Sequence, residues 1–428
     1  MAQHIGLLLF GTFAILLLLK VPVSFSLGIS SLICLFVLDI PLVVVGQRMF
    51  NALNSFPIMA IPFFILSGNL MIEGGLSKKI VNFAMSLLSR IRGGLAMAAV
   101  LACTIFGALS GSGPATVLSI GGMIYPEMVS RGYDEEEMAG LITVSGTLGP
   151  IIPPSIVIVF FGTVTSVSIT RLFAGSLGAG ILLAALLFAL TYFKAVRNKW
   201  PKREKNDPKP GVWKSFKESF WALLMPVIVL GGIYGGIFTP TEAAAVSIFY
   251  ALFVGLVIYK ELNPKNIFRI LKDSAESATI VLFIIGASSV FAWLFTYANI
   301  AAQVNAFVTS MNVGPLLYLF LVCIVMLIFG CFMDATATIV LLMPMMFPLS
   351  QTLGIDPIHF GVAVTFALTL GALTPPVAVN IFAMASVSKL PMGRIVKGEI
   401  PYALMAVISL ILVILIPKIT LFFPGLLT

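Results

Sequence analysis

The chain has 428 residues, 59% of them hydrophobic and only 10% charged, far from the roughly 45–50% apolar and 25% charged usage of soluble domains. At about 20 apolar residues per crossing this length holds roughly ten membrane segments or more, leaving no room for a water-soluble catalytic unit. The net charge of +8 gathers in short loops beside apolar segments, which excludes a nucleic-acid surface and marks a cytoplasmic rim.

Taken in order, spans are expected at 5–19, 23–46 and 53–72, then a slanted connector at 79–90 between Lys78-Lys79 and Arg90. The first lacks a basic n-region and a small-residue cleavage motif before Lys20, so it is read as a retained span. The stretch 94–130 is apolar on both sides of Ser110-Gly-Ser-Gly-Pro114 and basic at both ends, at Arg90, Arg92 and Arg131. That pattern predicts a re-entrant helical hairpin opening to the cytoplasm.

A helix at 134–165, broken between Gly149 and Pro154, then crosses outward. A span at 171–194 returns to a polar cytoplasmic loop running from Lys194 to Lys217. Spans at 219–238, 243–259 and 275–297 lead to a second hairpin at 314–352, a second broken helix at 357–386 and a last span at 400–423. Glu242, in Thr239-Pro-Thr-Glu242, is expected to act as a helix N-terminal carboxylate. With both termini outside, all of the 25 Lys and Arg residues fall on the inner side except Arg48, Arg171 and Lys418. Cys34, Cys103, Cys323 and Cys331 lie inside apolar runs without CxxC spacing and are read as small buried hydrophobes.

Residues 110–160 recur at 332–382 with a fixed offset of 222. Ala115-Thr116 matches Ala337-Thr338, Met123 matches Met345, Pro126 matches Pro348 and Asp134 matches Asp356. The breaker Gly149-x-x-x-Pro153-Pro154 matches Gly371-x-x-x-Pro375-Pro376. Weaker echoes join Pro22 to Pro240 and Val81-Asn82 to Val304-Asn305. An odd number of expected crossings separates the hairpins, so the two copies are expected to sit with opposite orientation. Such inverted repeats with interrupted apolar segments are the architecture of alternating-access transporters.

Each proline removes an N–H and so frees the carbonyl four residues earlier. The doubled prolines are thus expected to free the carbonyls of Gly149, Pro150, Gly371 and Ala372, which must line a cavity or bind something. Unwound carbonyls among hydroxyls suit a hard, weakly charged cation, Na+ in a transporter. The hydroxyls nearby in sequence are Ser110, Ser112, Thr143, Ser145 and Thr147 in the first repeat, and Thr336, Thr338, Thr365, Thr369 and Thr374 in the second.

Asp334 is the one carboxylate at a hairpin tip, where the first repeat has Ser112. Intramembrane carboxylates are costly and usually functional, so Asp334 is expected either to bind the ion or to hydrogen-bond the local backbone. The candidate Na+ set is Ser110, Ser112, Gly113, Gly146, Gly149 and Pro150 in the first repeat, with Gly330, Asp334, Thr336, Thr369, Gly371, Ala372 and Thr374 in the second. No arginine or lysine lies mid-span, so an organic anion would be held by half-helix N-termini. The candidate substrate residues are Pro114, Pro154, Ser155, Pro376 and Asn380. No organic cofactor is expected.

An intramembrane serine hydrolase would need a base beside Ser110 or Ser112. The two histidines, His4 and His359, are expected at the N-terminus and the outer face, so the chain is not read as an enzyme. An ion channel is the remaining rival, and it leaves the doubled hairpin and break unexplained.

At these motifs the chain resembles the large membrane subunit of TRAP transporters, the DctM/SiaM-like family. The resemblance rests on Ile61-Pro-Phe-Phe-Ile-Leu-Ser-Gly68-Asn, Ser110-Gly-Ser-Gly-Pro-Ala-Thr116, Gly149-Pro-Ile-Ile-Pro-Pro-Ser155, Phe238-Thr-Pro-Thr-Glu-Ala243, Met333-Asp-Ala-Thr336 and Leu373-Thr-Pro-Pro376. It implies an all-α integral membrane fold and an elevator-type, Na+-coupled importer of organic acids, such as C4-dicarboxylates or sialic acids, in a bacterial inner membrane. Its implied partners are a small four-helix membrane subunit and a periplasmic substrate-binding protein. A stand-alone Na+/dicarboxylate carrier of the related two-hairpin fold is the alternative. On this reading residues 1–92 form a first scaffold and arm, 93–170 the first half of the transport domain, 171–312 a second scaffold and arm, 313–388 the second transport half and 389–428 a last span. The arms lie near 76–92 and 300–312.

Overall fold

The computed structural model describes residues 2–88, 90–201, 211–298, 313–375 and 378–427. The expected arm near 300–312, Pro376 and the basic stretch from Lys202 to Lys209 lie outside the described residues. Among those described, every regular element is helical, and nine helices are long and apolar enough to cross a membrane.

Local chemistry explains where the helices begin. Thr239 and Glu242 form a reciprocal capping box at the start of Pro240–Phe253, the structural role expected of Glu242. The repeated Asp134 and Asp356 are both N-caps: Asp134 Oδ1 accepts from Glu137 N at 2.8 Å, and Asp356 Oδ1 from Ile358 N at 2.8 Å. Each satisfies orphan N–H groups at the first turn of a broken helix. All four cysteines are buried and free.

Three expected boundaries shift. The segment 23–46 is two helices, Val23–Val37 and Val43–Leu53, separated where Asp39 takes φ of 55° and Pro41 follows. The span expected at 275–297 begins at Pro264, because Asn263 caps it and Pro264 suits its first turn. The result is a 34-residue helix, about 51 Å long. Of the basic stretch read as a loop from Lys260 to Lys272, the part from Pro264 onward is helix, with Lys265, Arg269 and Lys272 exposed. The last span runs from Met392 to Leu415, so Glu399 lies inside it and is buried.

The scaffold helices exchange partners between repeats. Val23–Val37 packs on Pro264–Tyr297, while Pro240–Phe253 packs on Ala60–Glu73. Thr241 Oγ1 donates to the Phe56 carbonyl at 3.1 Å, and Arg269 pairs with Glu73 at 2.8 Å. The connector Leu76–Leu88 buries Leu76, Ile80, Ala84 and Leu88 along one face. That face lies against Gly94–Ser110 and Val212–Tyr234, with Ser219 Oγ donating to the Lys79 carbonyl at 2.7 Å.

The same exchange occurs in the repeated segments. The first hairpin, 94–130, turns at Gly111 and Ser112; the second, 315–352, at Met333 and Asp334. The return arm of the first packs on Val379–Ser388, the second half of the other repeat's broken helix. Reciprocally, Ala335–Thr352 packs on Ile156–Thr165. Neither repeat is complete without the other, and this crossing brings both tips to one place.

Candidate functional site

A cavity of about 340 Å³ lies between the two tips. Its walls include Ser110, Ser112, Gly113 and Pro114 from the first hairpin, and Gly330, Asp334 and Thr336 from the second. Pro150 comes from the first break; Thr369, Ala372 and Asn380 come from the second broken helix. Ile65, Gly68, Asn69, Ile72, Ser277 and Val281 of the scaffold helices close the opposite side.

The tips share a construction that explains the repeated Ala-Thr. In the first, Thr116 Oγ1 donates to the Ser112 carbonyl at 2.8 Å; in the second, Thr338 Oγ1 donates to the Asp334 carbonyl at 3.1 Å. The same two carbonyls accept the backbone N–H of those threonines, at 3.2 and 3.1 Å. Ser110 Oγ adds bonds to Thr116 Oγ1 at 3.0 Å and to the Ser112 carbonyl at 3.3 Å. Ser112 and Asp334 therefore sit at equivalent, internally braced positions.

Their side chains differ. Asp334 is exposed at the cavity and caps its helix through Oδ2, which accepts from Thr336 N at 2.9 Å and from Thr336 Oγ1. Among the described residues Oδ1 has no hydrogen-bond partner. The backbone role and an open carboxylate oxygen coexist in one residue.

Small residues let the breaks approach the tips. A methyl group built on Gly149 would lie 2.5 Å from the Ser112 carbonyl oxygen, and one on Gly371 would lie 2.7 Å from Gly330 Cα. Nothing larger than hydrogen fits at either place, which accounts for the repeated glycine.

The carbonyl count changes at the breaks. The Pro150 carbonyl accepts the Ser155 hydroxyl, and the Gly371 carbonyl accepts Thr374 N at 2.9 Å in a tighter turn. Two of the four expected free carbonyls thus have partners, because a side chain and a 3₁₀-type bond replace the missing proline N–H groups. A carbonyl has two lone pairs, so each retains one acceptor site.

The hydroxyls are similarly committed as donors. Thr143 donates to the Ala139 carbonyl at 2.8 Å and Thr365, its repeat partner, to that of Gly361 at 2.7 Å. Thr147 and Thr369 donate to Val144 and Thr365 at 2.7 and 2.8 Å. An oxygen that has given its proton to the helix presents only lone pairs outward. Ser145 Oγ is buried and has no partner among the described residues.

Several expected site residues stand away from the cavity wall. Pro154 and Ser155 are buried behind the first tip, where a methyl on Gly111 would meet the Pro154 carbonyl, and Ser155 caps Ile156–Thr165. Gly146 packs on Val117, Gly149 and Gly371 back the tips, and Thr374 is exposed elsewhere. Pro376 lies outside the described residues. Sequence reasoning missed Thr116 and Thr338 as braces, and Asn69 and Ser277 on the far wall. The signal for the braces was the exact recurrence of Ala-Thr; for Asn69 it was the polar residue closing the Ile61 to Gly68 motif.

Crossed helical hairpins and broken helices around a cavity with polar groups at both tips are the architecture of a membrane transporter. Solved structures agree on the fold. The YdaH transporter of Alcanivorax borkumensis matches with a TM-score of 0.57 and 15% identity, over 87% of this chain and 86% of that one. MtrF of Neisseria gonorrhoeae matches with a TM-score of 0.62 and 14% identity, over 87% and 83%. Residues 10–419 match the family model described as the tripartite ATP-independent periplasmic transporter, DctM component, and the chain belongs to that family as a large permease subunit. It is 36% identical to the C4-dicarboxylate TRAP transporter large permease protein DctM of Rhodobacter capsulatus, over 99% of both chains. The sialic acid TRAP transporter large permease protein SiaM of Vibrio cholerae is 34% identical, over 96% of each. The isethionate TRAP transporter permease protein DctMQ of Oleidesulfovibrio alaskensis is 35% identical, over 97% of this chain and 66% of that longer relative.

Proposed function

We propose that this permease imports an organic acid together with Na+ across a bacterial inner membrane, both termini lying on the periplasmic side. The carrying observation is that both tips and both breaks line one cavity, with the Asp334 carboxylate among hydroxyl and carbonyl oxygens. Neutral oxygens with one carboxylate suit a monovalent hard cation. Ser110, Ser112, Gly113 and Pro150 around one tip, and Gly330, Asp334, Thr336, Thr369 and Ala372 around the other, are the residues we assign to Na+. Pro114 and Asn380 are assigned to the acid, whose carboxylate would face the N-terminal ends of the runs beginning at Gly113 and Val379.

The two tips meeting in one cavity support hairpins that enter and leave by the same side, since arms of 17 and 18 residues reach about 26 Å. In an elevator, segments 93–170 and 313–388 move together against the scaffold. The crossed packing of their return arms supports motion as one body.

The DctMQ relative carries a Q in its own name, which supports a small membrane subunit as a partner here. A periplasmic substrate-binding protein is the second proposed partner. Uptake of C4-dicarboxylates and sialic acid into proteoliposomes, with both partners and an inward Na+ gradient, tests the reading. Saturable uptake that collapses without Na+ supports it; single-channel currents in its place would refute it. Uptake undiminished without a binding protein would favour a stand-alone carrier.

A further inference from the structure

The cavity has two walls of different origin. The wall formed by hairpins and broken helices carries Ser110, Ser112, Asp334, Thr336, Thr369 and Asn380 among apolar residues such as Ile156 and Leu368. The scaffold wall is mostly Ile65, Ile72, Val281 and Gly68, and its polar side chains are Asn69 and Ser277. An apolar wall suffices to let a cargo pass, so a carboxamide there needs a reason.

Asn69 is held in place. Its Nδ2 donates to Ser274 Oγ at 2.9 Å, and Ser274 is buried on Pro264–Tyr297. One turn further on, Ser277 gives its proton to the Asp273 carbonyl at 2.9 Å and offers only an acceptor. The helix that carries Asn69 meets the hairpin side at the neighbouring residue. A methyl group on the adjacent Gly68 would lie 3.7 Å from both Cα and the carbonyl oxygen of Ser110, so this scaffold helix rests against the first tip.

We propose that Asn69, oriented by Ser274, is a selectivity residue that hydrogen-bonds a hydroxyl on the organic anion, at the end opposite the carboxylate held by the hairpin side. The proposal rests on the transport reading above. With one N–H committed to Ser274, the carboxamide offers an acceptor oxygen and a second N–H. A hydroxyl satisfies both, whereas a methylene leaves both unpaired, and unpaired polar groups are how sites reject an analogue that lacks a hydroxyl. Asn69 belongs to neither hairpin nor broken helix, so the contact exists only while the cargo stands at this wall. Ser274 acts through Asn69 and is a positioning residue.

The test pairs each carried acid with its deoxy analogue, malate with succinate first, in proteoliposomes holding the permease and both partners. Wild type is expected to prefer the hydroxylated member. N69A should reduce that preference in KM by about three- to tenfold, the loss of one hydrogen bond, with the Na+ concentration for half-maximal uptake unchanged. S274A should shift it in the same direction by less. N69S, which keeps a small polar side chain, is the second variant if N69A fails to fold. A wild type without preference, or an unchanged preference in a folded variant at Asn69, overturns the proposal. A wild type that moves no organic acid overturns the transport reading itself, a failure visible before any variant is made.

Discussion

The carboxamide of Asn380 donates to the backbone carbonyl of Thr143 at 3.3 Å, joining residues 237 positions apart. At the first break Thr147 N turns to the Val144 carbonyl, 3.0 Å away, and Asn380 reaches the Thr143 carbonyl instead. Asn380 is 2% exposed, and a methyl on Gly113 would lie 2.7 Å from its Oδ1. One side chain of the second repeat thus touches both the break and the tip of the first. Its repeat counterpart is Ile158, so the strut exists in one direction only.

Replacing Asn380 should therefore affect both repeats. N380A leaves a carbonyl without its donor and opens a gap beside Gly113, expected to cost about 1–3 kcal/mol. Uptake should fall more than stability explains, and N380D, which cannot donate when ionised, should resemble N380A. Melting temperatures beside uptake rates check this.

Asp334→Asn separates the two roles of the carboxylate. Asparagine caps helices as well as aspartate, so the Ala335–Thr352 helix should persist and the fold should hold. Loss of the charge should raise the Na+ concentration for half-maximal uptake on the order of tenfold, about 1.4 kcal/mol. Unchanged Na+ dependence would remove Asp334 from the cation site.

The braced tips predict a graded pair. T116V and T338V each delete a hydroxyl bond to a tip carbonyl, expected to destabilise by about 1 kcal/mol apiece. T116V should cost the more, because it also strips Ser110 Oγ of its 3.0 Å partner, a bond the second tip lacks with Phe332 at that place. Denaturation midpoints in detergent measure both.

At the breaks G149A and G371A place a methyl against backbone that cannot retreat as a side chain would. Each should destabilise by about 1–3 kcal/mol and abolish uptake. Wild-type uptake in a stable G149A protein would show the tip and break to be looser than they appear.

Much of this arrangement was legible because the repeat carries its own geometry. The offset of 222 marked the tips and the breaks from residue types alone and paired Asp134 with Asp356, whose capping role only the hydrogen bonds reveal. Proline counting located the breaks but overcounted free carbonyls, since it cannot see a hydroxyl such as Ser155 supplying the missing donor. Helix starts were lost where charge masked periodicity, as at Pro264, where the Asn263 cap outweighs the spaced cations Lys265, Arg269 and Lys272. Contacts between repeats, such as Asn380 with Thr143, and the scaffold wall at Asn69 depend on packing that no local pattern encodes.

The central claim is that one cavity couples two cargoes. Simultaneous measurement of radiolabelled Na+ and organic-acid entry into proteoliposomes tests it most directly. The account predicts that the two enter in a fixed ratio, each stopping when the other is withheld. Acid uptake that proceeds at the same rate without Na+ would contradict it.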